Sequence, residues 1–480
     1  MNGRTFWTAA VVAGLWMTGS SGLAAPWVLQ AGDGNSDSAV TSIGAVDRTH
    51  AVAFGLQKQP GSDNAAPVKL ITSDGSRWSI QPAQGHKPDA ILFVGDMICF
   101  PSGRCYAMAN SVSQAAGIDI RTNLIPSIDG GKTWTWPPAT QLMGRTVSRI
   151  VPVSDRELWL CDGATVVLHT TDGGAKMGWK VPTLADGTRF MNIVEMSFPT
   201  ATIGYALNAN AKTDDKGVET IAPEGALLKT SDGGETWTLL FQGQTEAYDR
   251  LWMTSEQDGW MMGHTLQGFF LRRTRDGGLH WEDVPVPAPT FQVNGQPAPA
   301  LKWLNALWMF DAQSGWLIAS APYGQDQSVH TIFRIQGGAL QEVPDLPTQN
   351  VGALITLACA DPGACWAGGQ GLVVIGWVDD TVVPPADGTG GADEAAGEDG
   401  ASTGDGTTPE ASERDAVSAE DATPAVDGYQ PKDLSAYWDT SSSGGKSGCH
   451  AGTLPAGVAW ILGILGLAWG LLRRTRHAGS

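Results

Sequence analysis

Short apolar runs and polar turns alternate along most of this 480-residue chain. "RIVPVSDRELWLCDG", "RLWMTSEQDGWMMGH" and "ALWMFDAQSGWLIAS" begin at Arg149, Arg250 and Ala306 and align without gaps. Each reads as an apolar strand, a polar turn and a second strand with Trp near its start. "NIVEMSFPTATIGYALN", from Asn192, fits the frame with three extra residues in the turn. Runs this short, rich in Val, Ile, Leu and Trp and punctuated by turns about every ten residues, predict β-strands. A second element recurs downstream of most of them: "TSDGSRW" (72–78), "SIDGGKTW" (127–134), "TTDGGAKMGW" (170–179), "TSDGGETW" (230–237) and "TRDGGLHW" (274–281), at intervals of 43 to 60 residues.

Self-similarity at this period is the mark of stacked or circular repeats, and four short strands per repeat is the blade of a propeller. Seven repeats can be counted. Five carry the Asp-Gly turn; a sixth, from about Lys302 to Val343, has Gln336 in place of the Asp. A seventh, Val351 to Val378, has a first hairpin and "GLVVIGWV" but no closing Asp-Gly turn. "APWVLQAG" supplies its missing outer strand, with Trp27 standing where "TWTLLFQG" places Trp237. The expected fold is all-β: a seven-bladed propeller of four-stranded antiparallel blades over residues 25–380, its ring closed by the N-terminal strand, which removes a loose sheet edge.

Composition changes the reading at the two ends. "MNGRTFWTAAVVAGLWMTGSSGLAAP" has one early cation, an apolar run from Phe6 to Met17 and then small residues, the pattern of a secretory leader cleaved after Ala24 (residues 1–24). The formal net charge of −19 is mostly local: Pro384 to Gly448 holds fourteen acidic residues against three basic ones. With almost no large apolar side chains, 381–447 is expected to be a disordered acidic linker. Leu454 to Leu472 is an uncharged apolar run long enough as a helix to cross a bilayer, and Arg473, Arg474 and Arg476 behind it place the bulk of the chain outside the inner membrane. No basic stripe exists to neutralise phosphates, so nucleic acid is not an expected partner. Nothing calls for a cofactor.

Export permits disulfides. "CFPSGRC" and "CADPGAC" each place turn residues between cysteines six apart, which suits Cys99–Cys105 and Cys359–Cys365 as staples across the first hairpins of the second and seventh blades. Zinc is the alternative, and no His stands at ligand spacing from either pair. Cys161, beside Trp159, is expected to be a buried thiol.

The motif Ser/Thr-x-Asp-x-Gly-x-Thr-Trp resembles the Asp box of bacterial-neuraminidase-type repeats. It is complete in Thr230, Asp232, Gly234, Thr236 and Trp237, and is matched by Asp74 and Trp78, Asp129, Gly131 and Trp134, Asp172 and Trp179, and Asp276, Gly278 and Trp281. A short carboxylate can accept hydrogen bonds from its own turn, Gly allows positive φ, and Trp covers the hairpin, so a structural role is expected. Calcium binding would need more oxygen ligands than one Asp supplies, and no metal is expected. Asp boxes with Gly-Trp second strands over residues 27–380 resemble the photosystem II assembly and stability factor propellers, a resemblance that implies a non-catalytic binder. Residues 448–480, with Gly448-Cys449, Pro455 to Gly457, an apolar helix and Arg473-Arg474, resemble the C-terminal sorting tails of myxobacterial surface proteins. That implies processing and lipidation at Cys449 and display at the cell surface or outer membrane; otherwise the tail is a permanent inner-membrane anchor facing the periplasm.

Two functional readings follow. Sialidases share the box and use a Tyr nucleophile helped by Glu, with arginines on the substrate carboxylate. Glu246, Tyr248 and Arg250 in "TEAYDR" are the best such constellation here, although the usual Phe-Arg-Ile-Pro entry is missing. The preferred reading is a non-catalytic module binding a protein or glycan at the channel rim, formed by the inner-strand starts Ser42, Arg149, Asn192 and Arg250, with Ala306 in the sixth blade. The arginines would grip an acidic group on a partner, or else pair with acids on neighbouring blades.

Overall fold

The computed structural model describes residues 27–379 apart from 62–64, 84–89, 114–118, 136–146, 148, 162–166, 191–192, 209–210, 214–218, 222–224, 245, 266, 324–326 and 348–351. The leader, the acidic linker, Cys449 and the apolar run 454–472 lie outside the described residues, as does Asn192. Among the described residues there is no helix, and none therefore long and apolar enough to cross a membrane.

Seven antiparallel sheets follow one another along the chain as the blades of a propeller. Their innermost strands are Ala39–Ala45, Ala90–Cys99, Arg149–Pro152, Ile193–Ser197, Ala247–Met253, Trp303–Met309 and Leu354–Asp361. Six sheets have four strands; blade 2 has three among the described residues. Blade 7 takes its outer strand from the start of the chain, where Val28–Ala31 pairs with Val373–Val378 (Val28 opposite Gly376). Trp27 is buried at that seam with its ring 5.4 Å from Trp316 and 6.2 Å from Trp377. Gln30 clasps blade 1 from the same strand: its Nε2 donates to the Gly75 carbonyl and its Oε1 accepts from Trp78 Nε1. Arg48 of blade 1 adds a bidentate pair with Asp361 of blade 7 at 2.8 and 3.0 Å.

The second strand of each blade buries one large side chain against its neighbour: Val52, Tyr106, Trp159, Tyr205, Trp260, Trp316 and Trp366, none more than 2% exposed. Several also reach across to the next blade's turns. Tyr106 Oη donates to the Asp155 carbonyl, Tyr205 Oη to Glu256, Trp260 Nε1 to Ala312 and Trp366 Nε1 to Gly75. Cys99–Cys105 and Cys359–Cys365 are both disulfide-bonded, closing the first hairpins of blades 2 and 7, while Cys161 is buried within blade 3.

The Asp-Gly turns explain their own composition. In blade 4, Asp232 accepts from the Thr236 backbone N–H at 2.9 Å and from the Thr236 and Thr230 hydroxyls, while Thr230 Oγ1 accepts from Gly234 N–H. Asp74, Asp129, Asp172 and Asp276 each accept from backbone N–H groups of their own turns. The turn is then tied back to its blade, Gly233 N–H donating to the Thr202 carbonyl. Such local bonding holds the Asp232 carboxyl down at about 2, with Thr236 the main cause.

Candidate functional site

Pairing registers define one ring of positions on the inner strands. Arg149 lies opposite Cys161, Glu195 opposite Leu207, Arg250 opposite Met262, and Ala306 opposite Ile318. Ser42 and Thr356 occupy the same place in blades 1 and 7, opposite Phe54 and Gly368. Asp96 takes it in blade 2, between paired Val94 and Met97. Each of these seven residues stands ten before the large buried side chain of its own second strand. Blade 4 therefore aligns without gaps. Glu195, not Asn192, is the counterpart of Arg149 and Arg250, and the three-residue insertion expected in its turn is unnecessary. Constant spacing to the large buried side chain of the second strand is the sequence signal that locates this ring.

A β-bulge precedes the ring position in every blade except blade 3, where residue 148 is not described. The extra residue re-aims the strand start, and in blades 1 and 6 it puts a side chain between blades. Thr41 Oγ1 donates to the Val94 carbonyl of blade 2 at 2.7 Å. Asn305 Nδ2 does the same to Leu354 of blade 7, also at 2.7 Å. Asp249, the bulge residue of blade 5, instead pairs with His264 Nδ1 at 2.9 Å.

The ring has two unlike halves. Blades 2 to 5 present Asp96, Arg149, Glu195 and Arg250, alternating in sign. Arg149 Nε lies 3.2 Å and Arg250 Nη1 3.5 Å from the same oxygen of Glu195, whose side chain is 5% exposed against 21% and 24% for the arginines. Asp96 Oδ2 accepts from the Ile150 backbone N–H of blade 3. Burial pushes the Glu195 carboxyl up while both guanidiniums oppose the shift. Blades 6, 7 and 1 present Ala306, Thr356 and Ser42, and the Ser42 hydroxyl has no partner among the described residues. Trp252 and Trp308, two residues beyond Arg250 and Ala306, stand half-buried with ring centroids 5.0 Å apart.

Glu246, Tyr248 and Arg250 share one strand region but are drawn apart by their partners. Both Glu246 oxygens receive Arg272, at 2.7 Å each, and Arg272 also holds Asp283. Arg250 turns to Glu195. Tyr248 is buried between Phe241 and Phe270, and burial, together with Glu246, pushes its phenol pKa up, opposite to what a nucleophile needs.

The chain matches no protein-family model and no curated protein. Among solved structures it is similar to YCF48 bound to D1 peptide (13% identity, TM-score 0.48, covering 75% of this chain and 97% of that one). It is likewise similar to YCF48 from Cyanidioschyzon merolae (12%, TM-score 0.49, 74% and 99%). A GH74 xyloglucanase from Xanthomonas campestris is similar at 14% identity and TM-score 0.46 over 73% of this chain and 53% of the enzyme. At these identities and TM-scores the likeness carries no function over to this chain.

Proposed function

We propose that the chain is an exported, surface-tethered, non-catalytic propeller that binds a protein or glycan at the channel end where its inner strands begin. One observation carries this reading: the groups that could do chemistry are already engaged with other protein groups, Glu246 with Arg272 and Arg250 with Glu195. The location is supported by the lengthened hairpins that share that end. Blade 2 has Cys105–Ser113 and Asp119–Ser127, blade 6 has Gly315–Tyr323 and Gln327–Gln336, and blade 4 adds Ala211–Thr213 with Glu219–Ile221. Blade 3, by contrast, has only Leu158–Cys161 and Val167–Thr170.

Because both arginines sit on a buried carboxylate, truncating them would leave Glu195 unpaired, so Arg149→Lys with Arg250→Lys is the cleaner test. The double variant keeps charge but loses the planar fork. It is expected to melt within a few degrees of wild type and to lose capture of the surface partner; unchanged capture would remove the channel from consideration. A fluorogenic sialoside and glycoside screen on the full chain addresses the hydrolase reading, which Tyr248 beside Glu246 keeps in view. Turnover that disappears in Tyr248→Phe would replace the binder with an enzyme. Export and tethering are tested by fractionating cells that carry Cys449→Ser, which is expected to leave the protein in the inner membrane.

A further inference from the structure

The repeat supplies its own control for one position on the third strand of each blade. Opposite the residues paired with the ring stand Leu124, Val167, Leu227, Leu271, Ile332 and Val374 in blades 2 to 7, none more than 2% exposed. Blade 1 places Lys69 there, opposite Phe54. The neighbouring fourth-strand position is less regular: Phe241, Val284 and Val343 back the aliphatic residue in blades 4, 5 and 6, Lys180 does so in blade 3 and Ala31 in blade 7, and Gln81 lies beside Lys69 in blade 1.

A cleft of about 420 Å³ opens beside Lys69 and Gln81. That is within the range of about 300–1,000 Å³ common for ligand clefts. Lys69 Nζ reaches through it to the Lys132 carbonyl of blade 2 at 2.6 Å. Lys132 and Arg77, both exposed, line the opening with half-buried Trp78. The one acid in the lining, Asp74, is bonded to the Ser76 and Arg77 backbone N–H groups of its own turn. Arg77 Nε lies 3.9 Å from Asp74 Oδ2, and with Lys69 and Lys132 beside that pair the lining is positive in a chain of net charge −19. Burial lowers the Lys69 pKa, with Asp129 opposing, so an arriving anion would meet a partly desolvated cation.

We infer that this cleft between blades 1 and 2 binds an acidic polysaccharide, its anionic groups on Lys69, Arg77 and Lys132 and its hydroxyls on Gln81 and Ser79. The amide of Gln81 and the hydroxyl of Ser79 suit a hydroxylated ligand better than a bare anion. The site lies away from the channel ring and goes beyond the channel reading.

Lys69→Leu restores the residue class of the other six blades, so it is expected to fold at least as well as wild type. The test uses the full-length protein with polygalacturonate and dextran sulfate as probes, and neutral dextran and polyglutamate as controls. At least one acidic polysaccharide should bind wild type in a salt-sensitive manner, with affinity falling tenfold or more in Lys69→Leu and severalfold in Arg77→Ala and Lys132→Ala. Three outcomes overturn the proposal: neither acidic polysaccharide binds, Lys69→Leu binds them as well as wild type, or dextran or polyglutamate matches them.

Discussion

Gly234 adopts φ 87°, and a Cβ there would stand 2.7 Å from the Trp159 ring of the preceding blade. Backbone and packing therefore demand glycine together, and Gly234→Ala is expected to cost about 2–3 kcal/mol, read from denaturant midpoints. Its neighbour Asp232 acts through protons. With its pKa held near 2 against an ordinary 3.8, the folded state keeps the carboxylate charged; the stability this supplies is complete above the ordinary value and is lost as pH falls towards 2. Asp232→Asn should lower stability at neutral pH and flatten the acid limb of a melting-temperature profile between about pH 4 and 2. His330 of blade 6 behaves likewise in a higher window. Burial holds its pKa near 4, against 6.5 for an exposed imidazole, while its Nδ1 meets the Gly352 carbonyl. Stability should then decline as pH drops from about 6.5 to 4, and His330→Gln should remove that part of the decline.

Between strands, Glu195 links three blades by serving Arg149 and Arg250 at once. Removing it leaves two guanidiniums in a mostly buried ring, so Glu195→Ala is expected to destabilise by about 3–5 kcal/mol, while Glu195→Gln, which still accepts hydrogen bonds, should cost less. A melting series of the two variants separates charge from hydrogen bonding. The strands themselves could be read from the sequence because burial writes a period into it: Trp260 and Trp316 fall in the same slot, and the cysteines flank turns that already looked like hairpins. The bulges could not be read, since one inserted residue such as Thr41 or Asn305 leaves no compositional trace. Of the charged half of the ring, Arg149 and Arg250 could be read, whereas Asp96 and Glu195 could not, because their sign and size differ from those of the arginines and no shared residue type marks the position. Lys69 became visible as an exception only once the pairing register had shown what the other blades place there.

At the scale of the molecule, the ring depends on its seam. Trp27 packs against Trp316 and Trp377 but its own Nε1 has no partner among the described residues. Trp27→Ala should cost about 3–5 kcal/mol, whereas Trp27→Phe, which gives up a buried unsatisfied donor, should cost much less. Limited proteolysis that cuts the alanine variant first near residues 27–35 would locate the loss at the seam. The seam also orders events in time. Val28–Ala31 is the first of the described strands to be made and its partner, Val373–Val378, the last. During synthesis six blades can stack while the first strand waits, its tryptophan uncovered, for a sheet that does not yet exist. A circular permutant that joins this strand directly behind residue 379 would make blade 7 a contiguous hairpin. It should reach the same structure with blade 7 completed by local pairing, leaving the packing of blade 1 on blade 7, through Arg48–Asp361 and Gln30–Gly75, as the long-range step.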